Sequence, residues 1–378
     1  MAAKLEFFRV ENGDMTLVTL ASGKTILIDC NIRKKADDPN DNTPDVAAQL
    51  KARLRRDSEG RPYVDAMLNS HPDTDHICGF KTHFHTGPLA DYVKNSDKIV
   101  IREVWSSPLV FRRASKSHVL GDDAKAWCAE ARRRVAKYRK DFVLYDGDRI
   151  LVMGEDVDGK TDDLGAILVK TDTTWNTVAG VYDFGFEGLL LAPLKASDED
   201  EEEELTKNNS SVVARFKIGS NANADACRFL TGGDAEVGVW ERLWARNKHD
   251  KARLSYDILL TPHHCSWHSL SWDSWSQKGE DAKVSANARS ALEQARQGAK
   301  LIASSKVITD DDADPPCIRA KREYKAIAKD VSGQFICVGD EGPDPLEFVV
   351  EDGGPRAAIK SKLTTGPAII GSMALGHG

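Results

Sequence analysis

Ser70-His71-Pro72-Asp73-Thr74-Asp75-His76 places four potential metal ligands, His71, Asp73, Asp75 and His76, within six residues. It follows directly on Val64-Asp65-Ala66-Met67-Leu68-Asn69, a short apolar stretch that reads as a strand. Imidazole nitrogens and carboxylate oxygens at this density are costly to bury unless a cation compensates their charge and lone pairs. The plainer alternative is a polar turn whose acids cap the next helix.

Working outward, other strand ends offer the same residue types. Asp234 closes Leu230-Thr231-Gly232-Gly233-Asp234, and His263 and His264 close Leu260-Thr261-Pro262-His263-His264. Strand ends that together supply Asp and His are what a site at one edge of a sheet requires. Asp29, at the end of Thr25-Ile26-Leu27-Ile28-Asp29, is a further strand end and a natural acceptor for the N–H of a histidine ligand.

The elements between these points alternate in type. MTLVTL, the Ser22-Gly23 turn and TILID predict a β-hairpin, and Thr43-Pro44 predicts the start of a helix with Val46, Leu50 and Leu54 on its buried face. Further strands are expected near 101, 151, 190, 214, 229, 258, 302, 336 and 348, and helices over 121–140, 235–247, 285–298 and 316–329. Strands in runs with helices between them predict a layered α/β domain. No fixed-period repeat is visible.

Composition agrees with a folded chain: of 378 residues, 41% are apolar and 29% charged, close to ordinary globular usage. The N-terminus lacks the pattern of a secretory signal, and no apolar run approaches the roughly 20 residues needed to cross a bilayer, so a cytoplasmic protein with no membrane association is the expectation. The seven cysteines are scattered and include no CxxC, which predicts small buried residues and not a disulfide framework or thiolate zinc knuckle. A net charge of -7 argues against a protein that coats nucleic acid, yet a nuclease can neutralise phosphates locally with metal ions and one basic patch.

Two segments read as insertions. Residues 154–207 include seven consecutive acids from Asp198 to Glu204, which predict a solvated loop, with metal buffering or partner binding as the alternative. Residues 110–140 carry Arg112, Arg113 and Lys116, then a helix with Trp127, Ala131, Val135 and Tyr138 on one side and basic residues elsewhere. A solvated basic face is the plain reading of that segment; a patch for the phosphates of a nucleic-acid substrate is the sharper one. Nothing in the sequence identifies a protein partner.

With these residues in view, the chain resembles the metallo-β-lactamase fold superfamily, whose signature is HxHxDH, a later Asp and a late His. Within it the chain is most similar to the hydrolase domain of the ComEC competence family, where HxHxDH becomes HxDxDH, as in His71-Pro72-Asp73-Thr74-Asp75-His76-Ile77-Cys78-Gly79. Gly23 to Asp29 looks like that family's first strand pair, and Asn208-Asn209-Ser210-Ser211-Val212-Val213 like its Asn-rich strand start. Leu230 to Asp234 looks like its T-G-D, and His263-His264-Cys265-Ser266 like its H-H-G-S. The Pro315-Pro316 helix and the Asp330-Val331-Ser332-Gly333 turn follow its closing pattern, so the likeness runs from about residue 5 to about residue 350.

The resemblance implies an αββα sandwich over residues 1–352 with a C-terminal tail over 353–378, and two metal ions per chain, zinc by default. His71 and Asp73 would hold one ion, Asp75, His76 and His263 the other, with Asp234 bridging and His264 as alternative ligand or neighbour. Asp73 in place of a His hardens the donor set and makes manganese a fit as well. Three departures matter. Cys265 stands where the family usually has Gly, no membrane segments accompany the domain, and the usual His between the first cluster and the bridging Asp has no counterpart. His83 and His85 come too soon, His118 lies in the basic insertion, and Asn208 or Asn209 occupies that place in the order.

Beyond the ligands, Trp267, Trp272 and Trp275 read as a packed loop or as a stacking platform at the mouth of the site, and His268 as a proton donor to a leaving group or an exposed loop histidine. Ser304 and Ser305 read as structural. Asp75 is the expected catalytic residue, orienting a metal-activated water. Three functions stay open from the residues: a phosphodiesterase or nuclease, a hydrolase of an amide, ester or thioester, and a metal-stabilised binding module without turnover. Water-activating ligands argue against the last.

Overall fold

The computed structural model describes residues 1–108, 120–156, 159–194 and 211–358. Two mixed sheets lie face to face. The first runs, in spatial order, Gly354–Ala357, Leu346–Glu351, Ala3–Phe7, Thr16–Thr19, Thr25–Ile28, Pro62–Asn69, Val100–Ser106, Arg149–Met153 and Leu168–Val169. The second runs Thr174–Trp175, Phe186–Ala192, Val213–Ile218, Cys227–Thr231, Tyr256–Leu260, Ala295–Ala303 and Gln334–Cys337.

The side chains explain the layering. On the Thr25–Ile28 strand, Ile26 and Ile28 join Phe7, Trp105, Phe216, Phe229 and Ile258 in the core between the sheets, while Leu27 points to the other face. There it meets Leu50, Phe80, Trp127, Ala131 and Val135 from the helices over the first sheet. On the far side, Leu259 and Leu301 pack against Trp240, Leu243, Ala288 and Tyr324 of the helices over the second sheet. Period-2 alternation on the strands thus feeds three apolar layers, and the result is the αββα sandwich expected from the sequence.

The pairing directions position the site. Thr25–Ile28 runs parallel to Pro62–Asn69, with Ile26 opposite Ala66 and Ile28 opposite Leu68. Cys227–Thr231, Tyr256–Leu260 and Ala295–Ala303 are likewise parallel neighbours. Parallel strands bring their carboxyl ends to one edge, so Asp29, His71, Asp234 and the His263-His264 pair gather although they are far apart in sequence.

Several expectations need correction. Asp45, not Thr43, caps the first helix: its side chain accepts from the Ala48 N–H at 2.8 Å, and the helix spans only Val46–Lys51. The helix expected over 285–298 is Ala286–Leu292, because Ala295 already pairs with Tyr256 as a strand. Sheet pairing overrides local helix propensity there. Within the 110–140 insertion, Asp122–Asp141 is an integral outer-layer helix whose Trp127, Ala131, Val135 and Tyr138 are buried as the stripe predicts. Residues 353–357 are not tail, since Gly354–Ala357 pairs with Leu346–Glu351 at the sheet edge. All seven cysteines are free and only Cys78 is partly exposed. Among the described residues no helix is long and apolar enough to cross a membrane. The acidic run 198–204, Arg112, Arg113, Lys116, His118, Asn208 and Asn209 lie outside the described residues.

Candidate metal centre

Asp29 ties two adjacent strand ends together. Its backbone turns sharply at φ +54°, and its Oδ1 accepts from the Ser70 N–H at 2.6 Å and from Asn69 Nδ2 at 3.1 Å. Its Oδ2 accepts from Ser70 Oγ at 2.7 Å and faces His76 Nδ1 at 2.8 Å. The turn that carries Asp234 reaches this point only because residue 233 is glycine: at φ +48°, a Cβ there would stand 2.7 Å from the Ser70 side chain. At the third strand end, His263, His264 and Cys265 take φ values of +51°, +53° and +70° in succession. Left-handed non-glycine residues of this kind are costly and gather at functional sites. Cys265 thus adopts the conformation that a glycine would favour, and its buried side chain packs into the outer core behind the histidines.

The two carboxylate oxygens of Asp234 divide the cluster. Oδ1 lies 2.9 Å from His76 Nε2 and 3.4 Å from His264 Nε2, and Asp75 Oδ2 lies 3.2 Å from that same His264 nitrogen. Asp75, His76, Asp234 and His264 each offer a ligand atom within 4.8 Å of the others. Oδ2 instead lies 3.7 Å from His71 Nε2 and 3.6 Å from His263 Nε2, with Asp73 Oδ2 at 3.8 Å from His71 Nε2. The histidine beside Asp75 and His76 is therefore His264, and His263 stands on the His71 and Asp73 side. Of the two histidines left open by the sequence, His263 as ligand and His264 as alternative ligand or neighbour, the second is the one that lies against Asp75. The left-handed turn, which no spacing rule anticipates, sets which ring faces which oxygen.

Electrostatics favour a cation here. Burial pushes the His71 imidazole below its ordinary value, aided by neighbouring His76. Its Nδ1 has Ser70 Oγ at 3.1 Å and Ser211 Oγ at 3.4 Å, and its buried Nε2 has no hydrogen-bond partner. A buried Nε2 without a hydrogen-bond partner, beside two carboxylates, is a nitrogen that could serve as a metal ligand. His76 and His264 behave oppositely. Burial alone would lower both, but Asp234 and Asp29 hold His76 well above its usual value, and Asp234 and Asp14 push His264 up to about 10. For Asp234, burial is outweighed by His76 and His264, which hold it far below the usual carboxylate range. For Asp75, burial is outweighed by the His264 hydrogen bond and the charge of His76, with the same result. The acids around Asp234 call for positive charge among them, and a divalent cation held by Asp75, His76, Asp234 and His264 would supply it.

The floor of the cluster is closed and one side is open. His71, His76 and His264 side chains are fully buried, whereas Asp75 is 40% and Asp73 29% exposed, with His263 at 14%. Solvent therefore reaches the centre past Asp73, Asp75 and His263.

Other expected residues fall elsewhere. His268 is half-exposed, its Nε2 is 3.8 Å from Asp314 Oδ2, and none of its described contacts joins it to the cluster. Trp267 is buried and donates Nε1–H to the Asp273 carbonyl, and Trp275 packs on it, as a packed loop requires; Trp272 is exposed. Ser304 Oγ donates to the Gly13 carbonyl at 2.6 Å, a structural role. His83 and His85 bond to Asp37 and the Pro88 carbonyl, away from the centre. Sequence reasoning missed two members. Ser211 Oγ accepts from the Asp234 N–H at 3.2 Å besides facing His71, and Asp14 Oδ1 is 3.3 Å from His264 Nδ1. The only signal for Asp14 was an acid following a glycine just before a strand, which is common in ordinary turns.

No family model matches this sequence, and no curated protein matches it. Among solved structures the chain is similar to the crystal structure of unliganded yeast PDE1, at 12% identity and a TM-score of 0.40, covering 89% of this chain and 98% of that chain. At that distance the chemistry of the site is read from its own donor set. Among the described residues two groups that share His76 could hold a metal ion, one of Asp75, His76, Asp234 and His264 and one of Asp14, Asp29 and His76.

Proposed function

We propose that the chain is a metal-dependent hydrolase with two ions per chain, zinc or manganese, and that its substrate carries a phosphodiester, as in a nucleic acid. The observation that supports this reading is Asp234, with one carboxylate oxygen turned to His76, His264 and Asp75 and the other to His71, His263 and Asp73. A shared carboxylate between two groups of nitrogen and oxygen donors suits a pair of divalent cations. When bound, such a pair lowers the pKa of water toward neutrality and neutralises charge that develops on the attacked centre.

The chain's own residues would do the rest. His71, His76 and His264 form a dry floor that fixes where the ions sit. Asp75, the most exposed carboxylate of the cluster, is placed to accept a hydrogen bond from water on the open side and orient it toward a substrate. The phosphodiester part of the reading draws on the sequence likeness to the ComEC hydrolase domain and on the capacity of a two-cation site to hold both the attacking and leaving oxygens of an in-line displacement.

The test is to strip the protein with a chelator, reload it with zinc or manganese, count the ions by elemental analysis, and offer DNA, RNA, bis(p-nitrophenyl) phosphate and a panel of esters, thioesters and amides. Two ions per chain with cleavage of the phosphodiesters supports the reading. Turnover confined to acyl substrates would replace the substrate class, and no metal uptake would overturn the proposal as a whole.

A further inference from the structure

Asp14 is a buried acid to which the hydrolytic reading gives no part. It lies in the turn between Phe8 and Met15, which pair through Phe8 N–H to the Met15 carbonyl at 3.0 Å. That turn is fastened on several sides. Asn31 Nδ2 donates to the Val10 and Asn12 carbonyls, Asn12 Nδ2 donates to the Pro315 carbonyl, and Ser304 Oγ donates to the Gly13 carbonyl. Gly13, at φ +144°, permits the close approach: a Cβ there would stand 1.9 Å from Asn31 Nδ2 and 2.7 Å from the Asp75 carbonyl oxygen. The Asp14 N–H then donates to that Asp75 carbonyl at 3.2 Å.

With its backbone so held, the Asp14 side chain points into the floor of the centre, where it is 3% exposed. Oδ1 stands 3.3 Å from His264 Nδ1, an ion pair rather than an aligned hydrogen bond, and neither atom has another hydrogen-bond partner. Oδ2 is 3.9 Å from His76 Nδ1, but that nitrogen already donates to Asp29 at 2.8 Å. The two acids are thus divided between the two histidines, Asp29 to His76 and Asp14 to His264. In each case the other nitrogen, Nε2, is directed at Asp234.

We infer that Asp14 is the positioning residue of His264: it holds the proton on Nδ1 and turns Nε2 toward the group formed by Asp75, His76 and Asp234. A carboxylate on the far nitrogen fixes the tautomer and ring orientation of a metal-binding histidine, and loss of such a partner typically costs about 10- to 100-fold in metal affinity. The inference rests on the metal-dependent reading above and assigns Asp14 no contact with substrate. Because Asp14 lies on the His264 side, its loss should weaken an ion held by Asp75, His76, Asp234 and His264 and leave any ion held on the His71 side nearly unchanged.

The experiment compares the full-length wild type with Asp14→Ala and Asp14→Asn, each stripped of metal and titrated with Zn²⁺ against a chromophoric chelator. Wild type should take up two ions, and Asp14→Ala should bind one of them about 10- to 100-fold more weakly. Asp14→Asn retains an oxygen for the Nδ1–H and should recover most of the loss. Long-range ¹H–¹⁵N correlations of the zinc-loaded protein should show His264 protonated on Nδ1 in wild type and Asp14→Asn. If Asp14→Ala does not fold, the Asn variant and these signals decide the matter. Wild-type affinity for both ions in Asp14→Ala with His264 signals unmoved would overturn this inference alone, as would an Asn variant as impaired as Ala. A wild type that binds no zinc would overturn the hydrolase reading, and this inference with it.

Discussion

Asp29 and His76, 47 positions apart in the chain, face each other at 2.8 Å between Oδ2 and Nδ1, and the opposite nitrogen of the same ring is 2.9 Å from Asp234 Oδ1. One imidazole therefore links the end of a first-sheet strand to the end of a second-sheet strand. The same Asp29 carboxylate also accepts from Ser70 and Asn69, so it serves the backbone as well as the imidazole.

That double duty predicts two separable effects. Asp29→Ala should lower the affinity of the Asp75, His76, His264 group for Zn²⁺ by about 10- to 100-fold. It should also leave the buried Ser70 N–H without an acceptor, a cost of about 1–3 kcal/mol. Metal titration reads the first effect and urea unfolding of the metal-free protein the second. An unchanged unfolding midpoint would show that water replaces the lost acceptor.

Asp75→Ala should reduce turnover more than His268→Ala. Asp75 touches His264 and borders the open side of the centre, whereas His268 meets Asp314 and has no described contact with the cluster. A proton donor to a leaving group contributes about 10²- to 10⁴-fold, so a large loss in His268→Ala would assign it that task. Rates must be compared at equal metal content, since lost metal would imitate lost chemistry.

The third prediction concerns stability away from the centre. On the Asp122–Asp141 helix, burial would raise the Glu130 carboxyl, but hydrogen bonds from Arg133 and the charge of Arg134 outweigh it and bring its pKa down to about 2 from an ordinary 4.5. Arg134 is itself buried and also donates to the Ile101 and Arg149 carbonyls. Because the folded-state pKa is depressed, Glu130 stabilises the protein fully above the unfolded value and loses that contribution as pH falls from about 4.5 through about 2. Glu130→Ala should cost about 3–5 kcal/mol at neutral pH by leaving Arg134 buried without its counter-charge. The gap between wild type and variant in urea midpoint should narrow as the pH is lowered through that window; a gap independent of pH would mean that lost packing, not charge, dominates.

By itself the sequence marked most of the His and Asp residues that the fold brings together. His71, Asp73, Asp75 and His76 share one segment, and Asp234 and the His263-His264 pair each end an apolar run, so density and strand-end position were enough to mark them. The layered fold was legible for the same reason, since period-2 strands such as Thr25–Ile28 and the Trp127, Ala131, Val135 and Tyr138 stripe report which face each element buries. Tertiary structure alone decided the rest. Whether His263 or His264 joins Asp75 depends on three successive left-handed residues, a backbone choice that residue type does not encode for His or Cys. Asp14 becomes part of the centre only because Gly13 lets its turn press against Asn31 and the Asp75 carbonyl, contacts between segments that local pattern cannot connect. Helix 286–292 stops where it does because Ala295 pairs with Tyr256, and the gain from that pairing depends on the position of the neighbouring strand.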